Sequence, residues 1–542
     1  MGVPGARDAP CRAGTYRAVT RRSPGRQVVS GCTNWRGRAS TALFSCPPMP
    51  NLWKRKSIAS LVGDTGEAGH ELKKTLGPFN LIALGIGAII GAGLFVRTAA
   101  AAADHAGPSV TLGFILAAIG CAFAGLCYAE FASMIPIAGS AYTYSYATMG
   151  ELVAWIIGWD LVLEYGIGAA TVAIAWSEYL NKLLGILPGG HQIPYEWSHS
   201  PFEALRDAAG HATSHGIMNI PALFIVLMLS LLLIRGMKES AFVNGLIVIA
   251  KVAIVILIIV LGWSFINPAN HTPYIPEPTT IKDAAGVAHS YGGFMGILGA
   301  AGVVFFAFIG FDAVSTAAQE TVNPKRDMPI GILGSLAICT VLYILFSHVL
   351  TGIAPVEDFR AAGREASVAY AIDHHMPGYK WLSNLVTVAI LAGFSSVILV
   401  MLMGQSRVFF SMSRDGLVPK VFSDVHPRFR TPYKSNLLFF VFVGAFAAFI
   451  PGDVVGDMTS IGTLFAFVLV CIGVWILRVR DPNAPRQFKT PLVPLVPILG
   501  IVANGAMIFG LGWTNWLRLA VWLVIGLIIY FAYSQKHSRL PG

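Results

Sequence analysis

One lysine stands where a lysine is expensive. Lys251 lies within Ile247-Val248-Ile249-Ala250-Lys251-Val252-Ala253-Ile254-Val255, about a dozen residues from either end of an apolar run. At a helical rise of about 1.5 Å per residue, its ammonium is too deep to snorkel to either end. A charge at the centre of a bilayer costs several kcal/mol and persists when it is paired or used. Desolvation disfavours the charged form of an amine, so such a group can trade a proton with its surroundings, and Lys251 is the candidate proton-coupling residue. The sequence leaves a second reading open, in which a static ammonium ties this helix to backbone carbonyls of a neighbouring segment.

Acidic residues inside apolar runs also need a reason. They are Glu130 in the second run, Asp160, Glu164 and Glu178 in the third, and Asp312 and Glu320 in the sixth. Asp160 and Glu164 are spaced i, i+4 and share one helix face beside Tyr165. Glu164 is a candidate to line a substrate cavity or to pair with Lys251, with a hydrogen-bonded helix contact as the alternative. Glu178 and Glu320 fall near the ends of their runs, where solvent is at hand, and receive no transport role.

The backbone supplies the other chemistry. Gly85-Ile86-Gly87-Ala88-Ile89-Ile90-Gly91-Ala92-Gly93-Leu94-Phe95 places four glycines in the first apolar run. That density predicts a helix break at Gly87 and Gly91. The sixth run holds a second interrupted stretch, Phe305-Phe306-Ala307-Phe308-Ile309-Gly310-Phe311-Asp312, with its break at Gly310. Unpaired backbone groups at bilayer depth are tolerated where they line a cavity, and two such segments in corresponding halves of a chain point to a binding site. Close packing of helices on small residues is the competing explanation. Exposed N–H groups at the start of the second half of the first run form an anion site, and unwound carbonyls of the sixth complement a cation. A ligand with a carboxylate and an ammonium a few ångströms apart, an α-amino acid, satisfies both. Of the four phenylalanines, only the one nearest the break is a gate candidate.

The elements that must hold these groups follow from composition. The chain has 542 residues, 55% hydrophobic and 12% charged, with a mean hydropathy of +0.65; a soluble domain is about a quarter charged. An all-α, polytopic integral membrane protein is expected, with about twelve apolar runs at 79–103, 109–135, 152–180, 217–234, 240–263, 294–318, 330–353, 382–411, 436–451, 457–477, 493–513 and 517–534. These leave no room for a separate soluble enzyme domain. The net charge of +10 does not signal nucleic acid, because Lys54, Arg55, Lys56, Arg235, Lys325, Arg326, Arg414, Arg428, Arg478 and Arg480 flank alternate connections. By the positive-inside rule both termini are cytoplasmic, in a multi-pass protein of the cell inner (plasma) membrane. No span carries the polar stripe of a channel, and no nucleophile and base or metal set suggests an enzyme, cofactor or metal. The seven cysteines have no metal or redox spacing, and His191, His199, His211 and His215 in one polar connection read as solvated. Residues 1–48, rich in Arg, Ser, Gly and Pro, read as a disordered or over-extended amino terminus, and 49–78 as a cytoplasmic segment beginning naturally at Met49.

With these residues in place, the chain resembles the amino acid-polyamine-organocation superfamily, and within it bacterial amino acid permeases similar to the cationic amino acid transporters. The resemblance covers roughly residues 50 to 535. It rests on Gly87 to Phe95, Tyr128 to Pro136 with Gly139 to Tyr144, Leu163-Glu164-Tyr165, Phe306 to Asp312, and Gly404-Gln405-Ser406-Arg407 with Ser413 to Gly416. It implies a LeuT-like core of two five-helix repeats of inverted topology (79–263 and 264–477), with discontinuous first and sixth helices, and two additional helices over 478–542. It implies that a substrate carboxylate meets backbone at Ile89, Ala92 and Gly93, and an amino group the carbonyls of Phe306, Ala307 and Ile309. Ala92 stands where relatives often carry serine, so only a backbone contact carries over. Lys251 matches the lysine that replaces a sodium ion in proton-coupled relatives, and Ser395 and Ser396 align loosely nearby. The expected activity is secondary active amino acid transport by alternating access with proton symport, with exchange or amino acid sensing as alternatives. The partners are the amino acid, protons and the lipid bilayer. A neutral or broad substrate range is expected, and the oligomeric state is unknown.

Overall fold

The computed structural model describes residues 52–56, 76–135, 137, 139–206, 212–236, 241–282, 288–361 and 367–539. The expectations for residues 1–48 and for most of 49–78 lie outside the described residues. What is described is helical almost throughout, apart from two antiparallel hairpins, Ala204–Arg206 with Ala212–His215 and Thr279–Lys282 with Ala288–Tyr291.

Each of the twelve apolar runs contains helix. Among the described residues eight helices are long and apolar enough to cross a membrane, while Pro78–Ile89, Ile220–Arg235, Tyr433–Phe449 and Leu495–Gly510 are shorter. The starts are encoded locally. Pro78 and Pro324 occupy the first helical turns, where a missing N–H costs nothing. Asn219 caps the fourth run by accepting from the Ala222 amide at 3.0 Å. The outer faces are apolar: Ile249, Val260, Val341, Val441, Val502 and Ile528 are all more than half exposed. A face of that kind is stable against acyl chains, and exposed Trp263, Trp381 and Trp513 near helix ends suit the interface.

The helices pack in a regular pattern. The second run contacts the seventh, the third contacts the eighth, and the fourth contacts the ninth. The interrupted stretches of the first and sixth meet as well. Four of the first five helices therefore each touch the helix five places later in the chain.

Glu130 shows how a buried acid is made tolerable. Its Oε1 accepts from Arg478 Nε at 2.8 Å and Arg486 Nε at 3.0 Å, and its Oε2 from Arg478 Nη2 and the Thr490 amide, each at 2.8 Å. This clamp joins the second run to the end of the tenth and to the connection beyond. Glu130→Ala should leave the buried Arg486 guanidinium, and the partly exposed Arg478 beside it, without a counter-charge, which costs up to roughly 3–5 kcal/mol, and should lower the thermal unfolding midpoint of the purified protein well below wild type. Glu178 and Glu320, given no transport role, pair near helix ends with His199 at 3.2 Å and Arg407 at 3.4 Å. Burial holds the His199 imidazole below its ordinary pKa. No group of metal ligands occurs among the described residues.

Candidate functional site

The first helix ends at Ile89, and Ile90 turns the chain extended (φ −72°, ψ 103°). Helix resumes in a π-type turn, Gly93–Arg97, with the Leu94 and Phe95 amides both bonded to the Gly91 carbonyl at 3.2 and 3.4 Å. The amides of Gly91, Ala92 and Gly93 thus begin a helix and have no partner within it. In the sixth run the α-helix Gly293–Val304 tightens into a 3-10 turn, Phe305–Phe308. The chain reverses at Gly310 (φ +113°) and continues as Asp312–Glu320. Phe306 O already accepts one bond, from the Ile309 amide at 3.3 Å.

The two breaks are pressed together. A Cβ on Gly93 would sit 2.2 Å from Ala307 Cα, and one on Gly310 would sit 3.0 Å from the Ala88 backbone. Break and close packing, alternatives on sequence grounds, coexist here. Ile89, Ala92, Gly93, Phe306, Ala307 and Ile309 all lie at these two breaks and are all buried. Gly91 lies in the break, whereas Gly87 remains inside the last turn of Pro78–Ile89.

Lys251 reaches this break from the fifth run. Its Nζ donates to Gly87 O at 2.8 Å and Ile90 O at 3.1 Å, while Tyr343 Oη donates to Ile89 O at 3.1 Å. These carbonyls, orphaned where the helix ends, are therefore satisfied by side chains from two other helices. Space for the lysine comes from Gly393, where a Cβ would lie 2.9 Å from Lys251 Cε. Ser395 and Ser396 sit just beyond and bond to their own helix, at Leu391 O and Gly393 O, both at 2.9 Å.

Glu164 does not pair with Lys251, because the lysine is committed to the first helix. It lies in a π-type turn, Val162–Ile167, in the middle of the third run, and interacts electrostatically with Asp312 and Asp160. Asp312 Oδ2 accepts from Tyr165 Oη at 2.6 Å and Ser140 Oγ at 3.4 Å. Both carboxylate oxygens of Asp160 and of Glu164, and Oδ1 of Asp312, are buried without a hydrogen bond. The Tyr128 hydroxyl, near Asp312 and Glu164, is likewise unpartnered. No lysine or arginine among the described residues bonds to these three acids.

Phe305, Phe308 and Phe311 are ring-packed against Phe467, Tyr343 and Phe467 at 5.4, 5.3 and 5.0 Å. Phe311, the phenylalanine nearest the break at Gly310 and so the gate candidate, is among these packed rings, whereas Phe306 has no ring partner among the described residues. Sequence reasoning passed over Arg97, one turn beyond Gly93. It is buried and pairs with Asp457 and, at 3.4 Å, with Asp453 at the start of the tenth run. An arginine within an otherwise apolar run was the available signal.

Two interrupted helices packed on each other, with a buried lysine holding one of them, place the molecule among polytopic helical membrane proteins built around broken helices. The amino acid permease family model matches residues 76–533, and the chain belongs to that family. It is 43% identical over 492 residues to the branched-chain amino acid permease BcaP of Bacillus subtilis (strain 168), across 90% of this chain and 99% of that protein. It is 39% identical over 492 residues to the methylthioribose transporter of the same strain, across 91% and 100%. It is 28% identical over 616 residues to the vacuolar cationic amino acid transporter 4 of Arabidopsis thaliana, across 91% and 97%. The family and these relatives are transporters, not enzymes.

Proposed function

We propose that this protein is a secondary active transporter that moves L-amino acids across the plasma membrane by alternating access, driven by protons. The observation that carries the proposal is the pair of bonds from Lys251 Nζ to Gly87 O and Ile90 O. They make the geometry of the first break depend on whether one deeply buried amine is charged. A neutral amine keeps two N–H donors but loses the charge that strengthens them. Protonation and the position of the binding amides are thereby linked.

In this reading the chain crosses the membrane twelve times with both termini cytoplasmic. The contacts between the second and seventh, third and eighth, and fourth and ninth runs support two five-helix repeats, 79–263 and 264–477, followed by two further helices. The substrate carboxylate meets the amides of Ala92 and Gly93 beside Ile89, and the amino group meets carbonyls of Phe306, Ala307 and Ile309. Arg97 with Asp453 and Asp457 closes the outer side. The apolar side chains of Ile89, Phe306 and Ile309 favour a neutral aliphatic substrate, as the name of the Bacillus permease suggests. The likeness to a methylthioribose transporter makes a thioether sugar the competing ligand.

The test is uptake into proteoliposomes of leucine, alanine, arginine and methylthioribose, with and without an inward proton gradient. Gradient-stimulated accumulation of a neutral amino acid is expected. Equal exchange at every gradient would replace symport with antiport, and uptake of methylthioribose alone would replace the substrate class. Phe306→Ala removes the proposed cover and should raise the KM for leucine roughly tenfold, equivalent to about 1.4 kcal/mol, read from the concentration dependence of uptake.

A further inference from the structure

A cavity of about 420 Å³ opens where residues 52–56 meet the end of the tenth run, lined by Arg55, Lys56, Thr148, Leu477, Arg480 and Asp481. This short strand-like stretch, in no sheet, is held there by the Glu151 amide, which donates to Lys54 O at 2.9 Å, and the Leu152 amide, which donates to Leu52 O at 3.2 Å. Lys56 is committed to Asp415. Arg55 and Arg480 are exposed, and neither has an ion-pair partner among the described residues. The Asp481 carboxylate also has none there; only its backbone is engaged, through bonds from its amide to Leu477 O and from Arg486 Nη2 to its own carbonyl.

The surroundings are those of a bilayer surface. Trp53, in this stretch, is 60% exposed. Trp475 and Val479, one turn apart on the helix that carries Arg480, are 39% and 72% exposed. Two unpaired guanidinium groups, an unpaired carboxylate and a flanking apolar face therefore converge on one opening at the end of a membrane helix. Guanidinium forks match phosphate oxygens, and basic pockets at the ends of membrane helices hold lipid headgroups. A lone carboxylate beside them disfavours a bare phosphate and favours a group that also donates.

We propose that this cavity binds the headgroup of a phospholipid, with its phosphodiester on Arg55 and Arg480 and a headgroup N–H or O–H on Asp481. Phosphatidylethanolamine and phosphatidylglycerol meet both requirements, whereas phosphatidylcholine lacks the donor. Bound there, the lipid fastens this amino-terminal stretch to the tenth run. The inference does not depend on the transport reading, since it concerns binding alone.

Native mass spectrometry of the purified full chain, delipidated and then titrated with each of the three lipids, tests it. Phosphatidylethanolamine and phosphatidylglycerol should be retained about tenfold more strongly than phosphatidylcholine. The double variant Arg55→Gln/Arg480→Gln should lose that retention. Asp481→Asn should remove most of the preference over phosphatidylcholine, and Lys489→Gln, an exposed cation outside the cavity, should change nothing. Thermal unfolding midpoints with the same lipids confirm that each variant is folded. If soluble glycerophosphoethanolamine competes as well as the lipid, the phosphodiester site stands and its source is a soluble ester. Equal retention of all three lipids, or wild-type retention by the double variant, overturns the proposal.

Discussion

Lys251→Met is expected to abolish proton-driven accumulation while substrate counterflow, which needs no net proton movement, stays within about threefold of wild type. The argument starts from the two carbonyls that Lys251 holds, Gly87 O and Ile90 O. A buried carbonyl left without a donor costs about 1–3 kcal/mol, so the end of the first helix is under tension whenever the amine is absent. Methionine fills the space that Gly393 leaves for the lysine stem but can neither donate nor be charged. It therefore removes both bonds to the first helix and leaves no group at this position that a proton gradient can titrate. Both the swing of the break and the passage of substrate remain available, yet neither can respond to the gradient. The measurement is a pair of assays on one preparation: accumulation under an imposed pH gradient, and exchange of internal for external substrate at equal pH. Accumulation by the variant would end the coupling assignment. Loss of both activities together with a lowered unfolding midpoint would reduce Lys251 to a structural tie.

The same lysine shows what sequence can and cannot disclose. Its depth was legible from counting residues, and a tie to backbone carbonyls of another segment was one of two readings the apolar surroundings allowed. Its partners were not legible, because Gly87 lies 164 residues away along the chain. Glu164 looked an equally good partner, since sequence gives no distance between the third and fifth runs. The breaks were readable because the glycines of the first run, Gly85, Gly87, Gly91 and Gly93, are denser than the one per turn that helix packing uses, but their exact limits were not. Gly87 stays helical, and the interruption falls at Ile90 and Gly91, where Lys251 and Tyr343 supply donors to the orphaned carbonyls. Tertiary partners, more than local propensity, choose the residue at which such a helix opens. Glu130 was likewise recognisable as a cost without an owner, its arginine Arg478 being 348 residues distant.

The acids Asp160, Glu164 and Asp312 occupy an intermediate place. Spacing put the first two on one face, and the structure brings the third beside Glu164 through the reversal at Gly310. Gly310 holds a positive φ of +113°, a conformation that costs a side-chain-bearing residue about 1–3 kcal/mol, and that turn sets the direction in which Asp312 leaves the break. The break in the sixth run therefore presents backbone carbonyls and also positions the carboxyl that Tyr165 steadies.

The second large effect separates two glycines that look alike in sequence. Gly93→Ala should reduce substrate affinity at least about tenfold, equivalent to 1.4 kcal/mol or more, whereas Gly91→Ala should stay within about threefold. At Gly93 the new methyl would meet backbone, 2.2 Å from Ala307 Cα and 2.5 Å from Ala307 N. Backbone in a packed core cannot rotate away, so the interrupted stretches of the first and sixth runs must separate by an ångström or more. That separation pulls the amides proposed to hold a carboxylate away from the carbonyls proposed to hold its ammonium, and one small ligand can no longer reach both. At Gly91 the methyl would meet the Val397 side chain, nearest at Cγ2 at 3.3 Å, a contact relieved by a shift of a few tenths of an ångström. Equilibrium binding of labelled leucine to the two purified variants reads the difference directly, with the unfolding midpoint showing that both are folded. Equal affinities would mean that the contact between Gly93 and Ala307 serves packing alone and that the ligand lies elsewhere.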